Sequence, residues 1–241
     1  LGSEPPVFGH TPTVLGNDGE KLSKRHGATG LNEYAAQGFL PEAVINGLAR
    51  LGWSHGNDEI FFFLQLVEWF NLESLTPSPA RFDSEKFEWL NGEHVKRLPV
   101  DELATRLQPF LVEQGYDLAK GPSALAVAEL LRERAPTLKK MAEMARYCYV
   151  APMVDAVLLA QHLPDANKPA IAWVAEQLAD AEWTKPALAA ILKEAQTKFT
   201  LKTPQVMMPL RVLLTGSAQA PGVDALLLTL GREVSLARLR G

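Results

Sequence analysis

The stretch LPEAVINGLARL, from Leu40 to Leu51, shows the spacing of apolar residues that recurs in most of the sequence after it. Apolar residues recur in it at every third or fourth position, so one face of a helix would collect nearly all of them. Pro41 stands where the first turn of a helix tolerates proline. The same period returns in the later segments, which are separated by Gly, Pro and capping residues. The sequence therefore predicts a mainly α-helical protein.

Two helices after this stretch have candidate N-terminal caps. Asp58 is suited to cap a helix from 59 to 70, and the apolar run IFFFL at 60–64 is predicted to be buried on two sides. Asp83 is suited to cap the helix after that. Beyond Pro99 the segments have the length of two- to three-turn helices, with little strand pattern between them. Residues 101–241 are therefore predicted to form an all-helical superhelix.

Residues 1–30 have a different composition, rich in Gly, Pro, Thr and Asn. The tetrapeptide GNDG at 16–19 is typical of a tight turn, because Gly, Asn and Asp tolerate positive φ. KLSKR follows at 21–25 and combines three cations with a hydroxyl group. A loop of this kind offers charge and hydrogen-bond donors to a triphosphate. Taken alone, however, so short a cluster is also typical of a solvated loop.

Composition narrows the class of protein. The chain has 241 residues, 47% of them hydrophobic and 22% charged, with a formal net charge of -4. It suits one large domain or two to three small ones, and no segment is a polycation that would bind nucleic acid through charge alone. Cys148 is the single cysteine and the five histidines are scattered, so neither a disulfide nor a zinc site is expected. No apolar run reaches membrane-spanning length, and we expect a cytoplasmic monomer.

In their order along the chain, these motifs resemble the bacterial glutamyl-tRNA synthetases, which are class I aminoacyl-tRNA synthetases. The resemblance covers essentially all 241 residues. Gly9 departs from it, because alanine is usual before His10, but the lysine loop does not. The segments that carry the resemblance are GNDGEKLSKRHGA (16–28), which is similar to the KMSKS region, then GFLPEA (38–43), LARLGWSHG (48–56), FDSEKFEWLN (82–91) and PLRVLLTG (209–216).

The resemblance implies a two-step ligation. Glutamate and ATP, which brings Mg²⁺ with it as a substrate, give glutamyl-adenylate and pyrophosphate, and the glutamyl group then passes to the terminal adenosine of tRNA(Glu). Lys24, supported by Lys21, is expected to stabilise charge on the phosphates as pyrophosphate departs. Ser23 is expected to orient the loop, and Arg25 either contacts ATP or tethers the loop. The ATP-binding set implied by position is Lys21, Leu22, Ser23, Lys24 and Arg25.

The resemblance also implies a division of the chain. A stem-contact helical domain with the KMSKS loop would occupy 1–98, and two anticodon-binding subdomains would occupy 99–157 and 158–241. The family's HIGH motif has no counterpart in this sequence. The chain is therefore expected to be the C-terminal half of the enzyme, beginning just before the KMSKS motif. ATP and L-glutamate would bind through the missing N-terminal domain, and this part alone would be inactive.

Cations near residue 134 are the candidate tRNA contacts. By the resemblance, Arg134 is expected to read an anticodon base, with Arg132 and Lys139 nearby. Arg132 and Arg134 are two positions apart and cannot share one helix face. Arg211 lies in an apolar helical segment, so it is either paired internally or directed at RNA. For Arg132, Arg134 and Lys139, simple solvation on a helix surface is the alternative interpretation.

Two other functions remain open at this point. One is a non-catalytic, helical RNA-binding module with no enzymatic parent. The other is a relative of the glutaminyl-tRNA synthetases, whose anticodon domains are β-barrels, whereas residues 101–241 are predicted to be helical here. The sequence leaves open whether recognition is strict for tRNA(Glu) or also admits tRNA(Gln).

Overall fold

The computed structural model describes residues 2, 4–5, 8, 12–23 and 30–240. These residues contain fourteen α-helices and two strands of two residues each, so the predicted mainly α-helical class is confirmed. None of the described helices is both long enough and apolar enough to cross a bilayer. The elements are β1 (Val14–Leu15), α1 (Leu31–Ala36), α2 (Pro41–Ala49), α3 (Phe63–Trp69), β2 (Ala80–Arg81), α4 (Ser84–Arg97), α5 (Val100–Glu113), α6 (Ala124–Leu131), α7 (Leu138–Met144), α8 (Arg146–Tyr149), α9 (Ala156–His162), α10 (Lys168–Asp180), α11 (Lys185–Lys198), α12 (Thr203–Thr215), α13 (Val223–Leu230) and α14 (Arg232–Arg240).

The chain folds into two compact units. The first, called the N-terminal unit below, consists of Leu1–Leu98 together with Arg134–Lys140. The second, called the C-terminal unit, consists of Pro99–Glu133 and Met141–Gly241. A seven-residue segment from the middle of the chain thus belongs to the N-terminal unit.

The core of the N-terminal unit contains a cluster of aromatic rings. Phe87 on α4 lies at its centre, with ring centroids 5.1 Å from Tyr34 and 5.4 Å from Phe82. Val44 of α2 is buried in the same cluster. Gly47 allows the close approach of α2 and α4, because a Cβ there would lie 2.0 Å from the Phe87 ring. The predicted cap is also present, since the Asp83 side chain accepts hydrogen bonds from the first turn of α4.

The two strands form a small parallel pair beside this core. Val14 is opposite Ala80, and Leu15 is opposite Arg81. Leu15 also makes an antiparallel bridge with Lys21 on its other side. The backbone around Leu15 therefore pairs with the start of the lysine loop on one edge and with the residues just before α4 on the other.

The C-terminal unit is built from packed helices. One face of α5 is buried, with Leu103, Leu107 and Leu111 fully inaccessible to solvent. This helix packs on α6, while α10 packs on α11, α12 and α14. The α12 helix ends at Gly216 in the left-handed conformation, with φ of 76°. Arg238 of α14 donates to the carbonyl of Leu214 at 2.6 Å, which satisfies one of the last carbonyls of α12.

The region before α3 differs from the prediction. Asp58 caps no helix, and α3 begins only at Phe63. Of the run at 60–64, Phe61 is 1% exposed, but Phe63 is 53% and Leu64 79% exposed, so the predicted two-sided burial was wrong. The cause is Asn46 of α2, whose side chain binds the Phe61 amide and the Glu59 carbonyl, both at 3.1 Å. The Glu59 carbonyl is then unavailable to the amide four residues later, and the Phe61 amide is unavailable to the Asp58 side chain that was expected to cap the helix.

Candidate nucleic-acid interface

The turn before the lysine loop is closed by its own backbone. The Gly16 amide donates to the Glu20 carbonyl at 2.8 Å, and the Gly19 amide donates to the Gly16 carbonyl at 3.0 Å. Gly19 has φ of 82°, a conformation that favours glycine. The Glu20 amide donates to the Asp18 carboxylate at 3.0 Å. The GNDG signal therefore corresponds to a tight, internally bonded turn.

The residues after the turn alternate in direction. Lys21 is exposed, whereas the Leu22 side chain packs against the core cluster of the N-terminal unit. The Leu22 amide donates to the Val14 carbonyl at 2.9 Å, which fixes the start of the loop. Lys24 and Arg25 lie outside the described residues. The roles assigned to all five residues of this loop by resemblance stay predictions.

Arg81 is a second cation at this site, and the sequence analysis did not select it. Lys21 and Arg81 pair with Leu15 on its two opposite edges. Because residues paired in this way project their side chains from one face, the Lys21 and Arg81 side chains lie on the same face of the strand pair. Arg81 also lines a pocket of about 150 Å³ together with Arg50 and Lys86. No described residue forms a hydrogen bond or an ion pair with its guanidinium.

The other two cations of this pocket are partly neutralised. The Lys86 ammonium lies 2.5 Å from the Glu59 carboxylate, and Arg50 lies 3.7 Å from it. The hydrogen bond from Lys86 is the main reason that the pKa of the Glu59 carboxyl is lowered, and both cations add to the effect. Among the described residues that line the pocket, Arg81 is the cation without an ion-pair partner, and the Asp83 carboxylate lines the same pocket.

The segment 134–140 is held in place by contacts within the N-terminal unit. The buried Asn91 side chain donates to the Pro136 carbonyl, and the Leu138 amide donates to the Gly38 carbonyl at 3.0 Å. The Lys140 ammonium contacts the Glu88 carboxylate. Because both its middle and its end are fixed, the segment presents its exposed side chains from a defined backbone.

Two of the predicted RNA contacts project from this anchored segment. Arg134 and Lys139 are both exposed, and within the described part of the chain neither side chain has a hydrogen-bond or ion-pair partner. Both charges are therefore available to a ligand. Sequence reasoning missed the anchors Asn91 and Gly38, since neither carries a local signal for a contact with a segment so distant in sequence.

The other two predicted RNA contacts are more enclosed. Arg132 is half-buried at the C-terminal cap of α6, with its Nε 4.0 Å from Glu133. Arg211 of α12 donates from Nε to the Pro221 carbonyl at 3.0 Å and from Nη1 to the Met208 sulfur at 3.6 Å. Arg211 therefore has internal partners, one of the two alternatives left open by the sequence. A role in RNA binding stays a prediction for both residues.

Neither thiol chemistry nor a clustered metal site is evident in the described residues. Burial raises the pKa of the Cys148 thiol to about 12, although nearby Arg238 opposes the shift. This thiol is therefore uncharged near neutral pH and a weak nucleophile. The described ranges hold no group of three or more His, Cys, Asp or Glu side chains arranged for a metal ion.

Two family models match the chain. Residues 102–241 match the anticodon binding domain. Residues 1–89 match the catalytic domain of the class I tRNA synthetases for E and Q. The lysine loop, Arg81 and α4 up to Trp89 fall in the second match, and the four candidate RNA-contacting cations fall in the first.

The chain is similar to glutamate–tRNA ligases along nearly its whole length. It is 50% identical to the one from Janthinobacterium sp. (strain Marseille), covering 99% of this chain and 52% of that protein. With the one from Herminiimonas arsenicoxydans the identity is 49%, covering 99% of this chain and 51% of that protein. The chain thus spans about half the length of the curated relatives it matches.

Solved structures give the same result. The crystal structure of a glutamate tRNA ligase from Elizabethkingia meningosepticum CCUG26117, in complex with its amino acid, superimposes with a TM-score of 0.85 at 26% identity. The glutamate-tRNA synthetase from Elizabethkingia anophelis gives 0.81, also at 26% identity. Each match covers 99% of this chain and 51% of the other chain.

Proposed function

Since this chain belongs to the anticodon-binding-domain family and is homologous along its length to bacterial glutamate–tRNA ligases, we propose that it is the tRNA-binding part of such a ligase. Its ligand is tRNA(Glu), and its task is to hold the RNA while the acceptor end is charged. The observation that carries the proposal is the anchored segment 134–140, which offers Arg134 and Lys139 without internal partners.

The chemistry of these two cations fits RNA. A guanidinium can stack on an unpaired base or donate two parallel hydrogen bonds to its edge, which suits Arg134 as a base reader. An ammonium is a compact charge that suits Lys139 as a phosphate contact. Because the chain has a net charge of -4, binding must come from such local contacts rather than from a general positive field.

The test is a filter-binding titration of the 241-residue chain against tRNA(Glu) and a transcript with an altered anticodon base. If Arg134 reads a base, Arg134→Ala removes about 1–3 kcal/mol of the discrimination between the two RNAs. Equal weakening toward both RNAs would instead make Arg134 a phosphate contact. Lys193→Ala, an exposed cation on α11, is the matched control and leaves the discrimination unchanged. Absence of tRNA binding by the unaltered chain would refute the proposed function.

In the full-length ligase the lysine loop would serve the first reaction step. Lys24, assisted by Lys21, would neutralise charge on the phosphates of Mg²⁺-bound ATP as pyrophosphate leaves. Arg81 lies on the same face of the strand pair as Lys21 and would add to this positive field. ATP and L-glutamate would be held by residues outside this chain. We therefore expect no ATP–pyrophosphate exchange from the chain alone, and measured turnover would contradict that expectation.

The helical C-terminal unit supports the glutamate rather than the glutamine enzyme. Between residues 100 and 240, all of them described, there are helices and no strand, whereas the glutaminyl enzymes carry β-barrel anticodon domains. We also propose that the ligase acts as a monomer in the cytoplasm. Sedimentation equilibrium of the chain, with and without tRNA, tests the first of these two points.

A further inference from the structure

The outer side of α3, in the N-terminal unit, is an exposed apolar surface. The sequence of this helix is FLQLVEW, yet none of its residues is buried. Trp69 faces inward, with its ring centroid 6.3 Å from that of Phe61. On the opposite side of the helix, Leu64 is 79% and Val67 is 62% exposed. Contiguous apolar surface of this kind marks an interaction site, whereas single exposed apolar residues are ordinary.

An apolar groove of about 380 Å³ lies at the C-terminal end of the same helix. It is lined by Phe70, the C-terminal cap of α3, by Leu48 in the last turn of α2, and by Trp53 and Leu75, which pair in a β-bridge. Its described lining residues are all uncharged. Because Phe70 is 48% exposed, it joins the groove to the exposed side of α3. The α3 surface, as it is called below, is the groove together with Phe63, Leu64, Val67 and Phe70.

Negative charge borders the α3 surface. Between residues 51 and 80 the sequence has four carboxylates and no lysine or arginine. Two of the carboxylates have ion-pair partners. Glu68 and Glu73 are exposed, and across the residues that the structure describes neither side chain has a hydrogen-bond or ion-pair partner. Glu68 is four positions after Leu64, so the two side chains are neighbours on the helix surface.

The charge of this border selects among the possible occupants. Two unpaired carboxylates repel the phosphates of RNA and the headgroups of anionic lipids. A second copy that docked through the same surface would bring like charges together, which is unfavourable. A protein segment that combines apolar side chains with lysine or arginine matches both the apolar area and its acidic border.

We propose that the α3 surface docks an amphipathic helical segment of another protein, one that carries lysine or arginine beside its apolar face. The apolar face lies along Leu64 and Val67, and one large apolar side chain enters the groove next to Phe70. The cations of the segment lie near Glu68 and Glu73. This inference goes beyond RNA binding, since none of the cations considered above belongs to the α3 surface.

The probe for this site is a fluorescein-labelled helical peptide of about 18 residues, made of Leu, Ala and Lys, with leucine at every third or fourth position. Anisotropy titration into the full-length ligase should show that it binds about tenfold more tightly than a peptide with Glu in place of Lys. Leu64→Ser combined with Val67→Ser should weaken its binding by about tenfold, because the apolar contact is lost. Glu68→Gln combined with Glu73→Gln should reduce the preference for the Lys peptide to less than about threefold.

Two exposed residues of the C-terminal unit supply matched controls. Leu125→Ser on α6 and Glu113→Gln on α5 should change the Kd of the Lys peptide by less than about twofold. Equal binding of the Lys and Glu peptides would overturn the inference. Equal binding of a scrambled Lys peptide of the same composition would also overturn it, because general attraction to an acidic protein would then suffice.

Three further results would assign the α3 surface to another occupant and so overturn the inference. If the Lys peptide binds the 241-residue chain but not the full-length ligase, the occupant is the N-terminal half of the ligase itself. If the unaltered chain forms a dimer that Leu64→Ser dissociates, the occupant is a second copy. Leu64→Glu should change the Kd for tRNA(Glu) by less than about threefold, and a larger loss would assign the surface to RNA. Absence of tRNA binding by the unaltered chain, by contrast, counts against the proposed function alone.

Discussion

Asn91 donates from its side chain to the backbone carbonyl of Pro136, forty-five positions further along the chain. Its Oδ1 accepts from the Leu40 amide at 2.7 Å, and the residue is fully buried. One amide group thus satisfies two backbone groups and fixes the segment that carries Arg134 and Lys139.

Asn91→Ala should lower the free energy of unfolding by about 2–5 kcal/mol, because it leaves the Leu40 amide and the Pro136 carbonyl without their partner. Urea denaturation followed by circular dichroism measures the loss. Asn32→Ala, an exposed asparagine without a side-chain partner among the described residues, should change it by less than about 0.5 kcal/mol. A similar small change for Asn91→Ala would mean that the contact contributes little.

Gly38→Ala combines two penalties. Gly38 has φ of 76°, and a Cβ there would lie 2.6 Å from the Lys139 amide nitrogen. Gly115 has φ of 77° but no atom within 4 Å of the same position. Gly115→Ala should therefore cost about 1 kcal/mol from backbone strain alone, whereas Gly38→Ala should cost about 3 kcal/mol or more. If thermal or urea unfolding gave the same loss of free energy for both substitutions, the close approach of Gly38 to the segment 134–140 would not contribute to stability.

Thr200, in the turn between α11 and α12, has φ of 52°, which is unfavourable for a β-branched residue. Thr200→Gly should raise the free energy of unfolding by about 0.5–1 kcal/mol, since the relief of strain exceeds the added entropy of the unfolded chain. A shift of the unfolding midpoint to higher urea measures it. Thr197→Gly, in the α11 helix, should do the opposite.

His94 makes stability depend on pH. Its Nε2 lies 2.9 Å from the Asn46 Oδ1, and burial lowers its pKa. Arg97 adds a smaller lowering of this pKa, whereas Glu42 and Glu93 oppose it. The unfolded chain therefore takes up a proton at this residue more readily than the folded chain. The free energy of unfolding should fall as pH drops below about 6.5.

The measurement for His94 is urea unfolding at about pH 7.5 and about pH 5.5. His94→Gln should reduce the difference between the two values, even though it also lowers stability at both. His55→Gln, at an exposed histidine that pairs with Asp58, is the control. A pH difference that persists unchanged in His94→Gln would assign the effect to other groups.

In the full-length ligase, Lys24→Ala should reduce the rate of ATP–pyrophosphate exchange by about 10²–10³-fold, the effect typical of removing one preorganised charge from a transition state. Arg81→Ala should reduce it less, because the resemblance assigns the phosphate contact to Lys24 and none to Arg81. Lys193→Ala is the control for loss of a surface charge. An unchanged rate in Lys24→Ala would refute the role given to the lysine loop.

Much of the helical architecture could be predicted because it depends on local periodicity. The spacing of Leu103, Leu107 and Leu111 alone places them on one buried face of α5. The turn at 16–19 was equally evident, since its hydrogen bonds lie within five residues of one another. The family was identified from the order of short motifs, which the comparisons confirm.

The failures came from contacts distant in sequence. Asn46 binds the backbone at Glu59 and Phe61, which prevents a helix that the local pattern around Asp58 favoured. Likewise, nothing local to Pro136 indicates that its carbonyl faces Asn91. The three-part division at 98 and 157, and the roles of Lys21, Lys24, Arg132 and Arg211, stay predictions.

Because residues 134–140 belong to the N-terminal unit, they constrain recombination between related proteins. A single genetic crossover at Leu98 between two relatives would join a core from one parent to a 134–140 segment from the other. The donor on Asn91 and the carbonyl of Pro136 would then have separate ancestries. Chimaeras that also keep residues 134–140 from the N-terminal parent should be recovered in folded form more often than those made by simple end-swapping.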